Sequence, residues 1–103
     1  MSVLAEFSIV PLGTGTSVSP VVARILKIVI ESGMAYKANP MGTVIEGEWD
    51  GVMNLIKKCH DEAAKDAERV LTRVSIDDRR GMSHRIETKL AAVEQKLGEK
   101  LSR

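Results

Sequence analysis

The chain predicts an α+β domain in which two helices cover one face of a four-stranded antiparallel sheet and a further helix trails at the C-terminus. Three observations carry this expectation. Short stretches alternate apolar and polar residues with period two, two stripes of helical spacing separate them, and glycine- or proline-bearing turns punctuate the junctions. The order β-α-β-β-α-β is the split βαβ, or ferredoxin-like, arrangement.

From Val3 to Pro11, Val3, Ala5, Phe7 and Ile9 share one face and Leu4, Glu6, Ser8 and Val10 the other, which makes a first strand ended by Pro11. Gly13-Thr14-Gly15-Thr16-Ser17 reads as a loop. Ser19 before Pro20 reads as a cap and first helical position, opening a helix with the stripe Val22, Ile25, Leu26 and Val29 that stops near Gly33. Strands around Met34 to Ala38 and Thr43 to Glu48 follow, joined by the turn Asn39-Pro40-Met41-Gly42. Asp50 is placed to cap a second helix with the stripe Val52, Leu55, Ile56, Cys59 and Ala63. Val70 to Ile76 alternates as a fourth strand. After the polar turn Asp77-Asp78-Arg79-Arg80-Gly81, a last helix from about Ser83 carries Ile86, Leu90, Val93, Leu97 and Leu101. The 103 residues are read as one domain, 1–103, with no internal repeat.

Two helices on one sheet face leave the other open. The candidate open face holds Leu4, Glu6, Ser8 and Val10, then Val44, Glu46 and Glu48, and then Leu71, Arg73 and Ser75. Aliphatic side chains mixed with charges suit partial cover by a second subunit with a polar pocket left beside it. A homo-oligomer, built as a dimer of dimers, is therefore expected, with the striped last helix as a second contact surface.

Composition narrows the function. Fifteen basic against 14 acidic side chains give a net charge of +1, without the basic excess that phosphate binding favours, so no nucleic-acid partner is expected. Phe7, Tyr36 and Trp49 are the aromatics, too few and misplaced for the base-stacking platform of an RNA-recognition sheet. The N-terminus lacks a basic segment followed by an apolar run, and no apolar run approaches the length of a membrane span. A cytoplasmic protein with no membrane partner is expected. Cys59 is the single cysteine and falls on the apolar stripe of the second helix; His60 has no histidine three or four residues away. Neither a metal site nor a nucleophile–base pair is visible, so no catalytic residues, metal or resident cofactor are expected.

The glycine-rich segment fits neither phosphate-loop pattern: no Gly-Lys-Ser/Thr follows, and Val18 stands where the third glycine of G-x-G-x-x-G belongs. What it offers is hydroxyls and amides at the start of a helix. Glu6, Glu46 and Glu48 form a potential carboxylate group on the open face. It is suited to an amine-bearing cation, or equally to pairing with Arg73 in solvent.

Three segments then resemble a known family. Pro11-Leu12-Gly13-Thr14-Gly15-Thr16-Ser17-Val18-Ser19-Pro20, the run Asn39-Pro40-Met41-Gly42-Thr43-Val44-Ile45-Glu46-Gly47-Glu48-Trp49-Asp50, and Ile76-Asp77-Asp78-Arg79-Arg80 are similar, in order and spacing, to the YkoF-like thiamine-binding family. The resemblance implies a ferredoxin-like fold, assembly into dimers and tetramers, and binding of thiamine or hydroxymethylpyrimidine without catalysis. Thiamine joins a cationic thiazolium to an aminopyrimidine with donors and acceptors. Glu6 and Glu46 are the expected partners of its charge and amino group, and Thr16, Ser17, Asn39 and Thr43 of its ring nitrogens. The rival readings are a regulatory or structural module without this ligand, and a small enzyme on a ferredoxin-like dimer.

Overall fold

The structure, a computed structural model, describes residues 2–13, 15 and 18–103. Its elements are β1 (Val3–Leu12), α1 (Ser19–Glu31), β2 (Ala35–Asn39), β3 (Gly42–Gly47), α2 (Trp49–Ala64), β4 (Arg69–Asp77) and α3 (Arg85–Leu97). The four strands form one antiparallel sheet in the order β2-β3-β1-β4. This is the ferredoxin-like α+β arrangement with an added C-terminal helix, as the order of elements predicts.

Val3, Ala5, Phe7 and Ile9 of β1 and Ile45 of β3 face α1 and α2 and are buried. The α2 stripe Val52, Leu55, Ile56, Cys59 and Ala63 is buried residue for residue as its spacing requires. Each fully buried aliphatic side chain contributes about 1.5–3 kcal/mol, so these two layers hold the fold. Cys59 is 0% exposed, and its Sγ lies 3.9 Å from the Ile25 carbonyl oxygen. Burial pushes its thiol up to about 11, so at neutral pH it is a small protonated core residue rather than a nucleophile.

Two helix starts differ from expectation. Ser19 is already helical; Val18 occupies the N-cap position of α1 and makes no side-chain cap. Pro20 in the first turn lacks the N–H that a cap would satisfy, which lowers the need for one. Glu48, not Asp50, stands at the N-cap of α2, and Asp50 lies in its first turn, where a carboxylate favours the positive helix end. The α1 stripe is also rotated. Val21, Ile25 and Val29 are its buried residues, whereas Val22 is 38% exposed.

The second sheet face is not left wholly open. Glu46 and Asp77 lie on one cross-sheet row with Leu4, through the pairs Leu4↔Glu46 and Leu4↔Asp77. Both reach α3, which packs over β2 and β3. Ile86 and Leu90 are half-buried beneath that helix, Val93 and Leu97 are exposed, and Leu101 lies beyond its end at the left-handed Gly98.

Candidate ligand-binding site

The sheet is uneven in length, and that creates a cavity. β1 has ten residues, whereas β2 has five and β3 six. The β1–β3 ladder ends at Phe7↔Thr43, while β1 stays paired with β4 as far as Leu12↔Arg69. Pairing on the β3 side stops because the chain reverses through Pro40 and Met41. Pro40 holds φ near about −65°, and Met41 is not in the positive-φ region, which excludes the primed turns that keep hairpin strands close. The tail of β1, the tip of the β2–β3 hairpin and the start of α1 therefore enclose a cavity of about 430 Å³.

Its apolar wall comes from Phe7, Ile9, Val22, Ile25 and Leu26, joined by Val10 and Leu71 from the second sheet face. Ser8, Asn39, Thr43 and Arg73 supply its polar side chains. A mostly apolar concavity of this size with a few converging polar groups is the form of a small-molecule site. Arg73 is the charged side chain among the described lining residues. Gly42 forms part of the rim, and a Cβ there would lie 3.5 Å from Glu6 Cγ and 3.1 Å from the Phe7 carbonyl oxygen. The absent side chain lets the Glu6 carboxylate pack against the rim.

A second cavity of about 310 Å³ lies between the sheet and α3, bounded by Leu4, Glu6, Val44, Ser75, Ile76, Asp77 and Lys89. Lys89 Nζ donates to Asp77 Oδ2 at 2.8 Å, and Arg85 Nη1 lies 2.7 Å from the same oxygen. Arg85 and Asp77 form an ion pair there, with the guanidinium nearly buried. Lys89 and then Arg85 keep the Asp77 carboxyl below its ordinary value.

The residues expected to bind ligand are thus separated. Asn39 and Thr43 meet in the larger cavity, and exposed Glu6 stands between the two cavities. Thr16 and Ser17 lie outside the described residues. Glu46 lines neither cavity. It is 8% exposed and turned under α3, where its carboxylate accepts hydrogen bonds from the amides of Arg85 at 2.8 Å and Ile86 at 3.2 Å. Glu48, at the start of α2, is not part of a joint carboxylate group in either cavity. Ser8 and Arg73 were expected on the open sheet face without a binding role, and Val22 on the apolar stripe of α1; the mismatch in strand length was the available clue to their meeting in one cavity.

Among the described residues, no helix is long and apolar enough to cross a membrane, and no cluster of three His, Cys, Asp or Glu side chains is placed to hold a metal.

Comparison with known proteins agrees with this architecture. The chain is 37% identical over 91 residues to the UPF0045 protein MJ1052 of Methanocaldococcus jannaschii, covering 88% of this chain and 91% of that protein. It is 37% identical over 100 residues to the UPF0045 protein YqgV of Bacillus subtilis, covering 91% and 96%. The crystal structure of MJ1052 superposes with a TM-score of 0.85 at 36% identity, covering 91% of this chain and 97% of that one. The structure of a candidate thiamine biosynthesis/salvage protein from Thermotoga maritima superposes at 0.79 with 25% identity, covering 90% and 99%. The sequence pattern of the thiamine-binding protein family matches residues 5–94, and the chain belongs to that family.

Proposed function

We propose that the chain binds thiamine or its hydroxymethylpyrimidine half in the 430 Å³ cavity, as a carrier or sensor and not as a catalyst. The observation that carries this reading is the convergence of Asn39 and Thr43, from the family-like hairpin segment, on one apolar cavity with Ser8 and Arg73. Family membership and the salvage-related neighbour support the ligand class. The distribution of charge supports an orientation. The pyrimidine enters the apolar interior, while the thiazolium stays outside, away from Arg73 and towards Glu6 at the Gly42 rim.

Among the described residues, the cavity presents binding groups without a nucleophile and base in reach of one another, which supports binding without turnover. Thiamine has about 18 non-hydrogen atoms, and about 0.3–0.5 kcal/mol per atom gives about 5–9 kcal/mol, a high-micromolar to sub-micromolar affinity. Calorimetric titration with thiamine and hydroxymethylpyrimidine tests the reading. Thr43→Val keeps the shape but removes a hydroxyl, and Asn39→Ala removes an amide; each is expected to weaken binding about tenfold in a folded protein. A parent protein that takes up neither compound would leave the cavity without this role.

The proposal includes a homo-oligomer, a dimer of dimers in the cytoplasm. Its support is the apolar surface this chain leaves uncovered: Val93 and Leu97 on α3, and Leu12 on the second sheet face. Light scattering at micromolar concentration is expected to give a mass above the 11.3 kDa chain, and a monomer would remove the assembly.

A further inference from the structure

Within the larger cavity, the main chain carries recognition groups that no side-chain inventory shows. A position two residues beyond the last β1–β3 pair, Ile9 has no β3 partner, because the ladder ends at Phe7↔Thr43 and the residue that would face it, Met41, sits 90% exposed in the turn. The edge to which Ile9 turns follows from its neighbours. The Phe7 carbonyl oxygen lies 3.1 Å from the position of a Gly42 Cβ, so the Phe7 main chain is directed towards β3. Alternate residues of an antiparallel strand send N–H and C=O to the same side, which places those of Ile9 on the β3 side too. Pro11 is the next position on that edge. It has no N–H to donate, yet the ladder to β4 continues unbroken through Pro11↔Val70, as expected if its nitrogen faces away from β4.

Ile9 is 7% exposed and lines the cavity. Among the described residues, no main-chain hydrogen bond outside the sheet reaches it. Without partners among the described residues, the Ile9 N–H and C=O stand side by side in the cavity and call for a complementary pair, because a buried donor and acceptor left unpaired are costly. An aminopyrimidine has that pair: its exocyclic amino group donates, and the ring nitrogen beside it accepts.

We infer that the free β1 edge at Ile9 is the recognition element of the cavity, the ligand's amino group donating to the Ile9 carbonyl and the adjacent ring nitrogen accepting from the Ile9 amide. The inference rests on the proposed binding of thiamine or hydroxymethylpyrimidine and names the half of the ligand that is read. It assigns selectivity to the amino-bearing edge of a flat heterocycle, with Asn39 and Thr43 trimming the fit and the thiazolium left outside.

Amide-resolved NMR on the full chain tests it, with hydroxymethylpyrimidine as probe and its analogue lacking the amino group as control. Saturation with hydroxymethylpyrimidine is expected to shift the Ile9 amide resonance and slow its hydrogen exchange at least about tenfold. The Val10 amide, directed at β4, should be unchanged. The analogue without the amino group should bind at least about tenfold more weakly. If hydroxymethylpyrimidine binds while the Ile9 amide stays unaltered, or both compounds bind equally, the edge inference is overturned and the cavity assignment stands. If neither hydroxymethylpyrimidine nor thiamine binds, both fall together.

Discussion

Replacing Glu46 with alanine is expected to destabilise the docked α3 by about 2–3 kcal/mol, a larger effect than removing the exposed Glu6 carboxylate on the same sheet face. The helix has no side-chain cap of its own: His84, at its N-cap, lies in the left-handed region with φ 56°. The carboxylate of Glu46 takes over, with one oxygen 2.8 Å from the Arg85 amide and the other 3.2 Å from the Ile86 amide. Ser2 Oγ donates to the same carboxylate at 3.4 Å. An anion at a helix N-terminus satisfies orphan amides and opposes the helix dipole at once. Because the Arg85 amide is buried, the alanine variant leaves a donor with no partner and little water. Glu46→Gln retains an accepting oxygen and should lose roughly half as much. Glu6→Ala, at an exposed position, should change stability by a few tenths of a kcal/mol. Hydrogen exchange at Arg85 and Ile86, with urea denaturation of all three variants, reads the difference. Unchanged protection of those amides in Glu46→Ala would show that the carboxylate does not hold the helix.

Val22→Trp should lower affinity for thiamine and hydroxymethylpyrimidine at least about 100-fold while leaving the helical circular dichroism intact. Val22 sits on α1 with 38% exposure and contributes to the cavity wall rather than to the buried core. A larger side chain is accommodated there without displacing Val21, Ile25 or Val29, which anchor the helix. Filling the cavity excludes the ligand outright, in contrast with the modest losses from removing single polar groups. A folded Val22→Trp protein with parental affinity would place the ligand elsewhere.

Val22 also shows where sequence reading stops. The α2 stripe was legible in full because one element, a two-layer core, absorbs every apolar residue at helical spacing. On α1 the apolar arc is wider, since Val21, Ile25 and Val29 serve the core while Val22 and Leu26 face the cavity. Periodicity reports apolar surroundings and does not distinguish a packed neighbour from an empty site. Glu46 escaped for a different reason. Its partners are main-chain amides 39 and 40 positions away, and a backbone donor leaves no residue type to recognise. The return of α3 over the sheet was equally hidden, because a narrow apolar stripe fits its own sheet as well as another subunit. The hairpin tip was read correctly as a turn at Pro40, but the cavity depends on how far β1 outruns it, and strand ends are set by tertiary pairing.

The proposed ligand site is the cavity enclosed by the β1 tail, the β2–β3 tip and α1. A crystal structure of the protein with hydroxymethylpyrimidine tests it most directly. A flat ring is expected in the 430 Å³ cavity, near Asn39 and Thr43 and edge-on to Ile9. A ring bound instead in the second cavity beneath α3, beside Glu6 and Lys89, would contradict it.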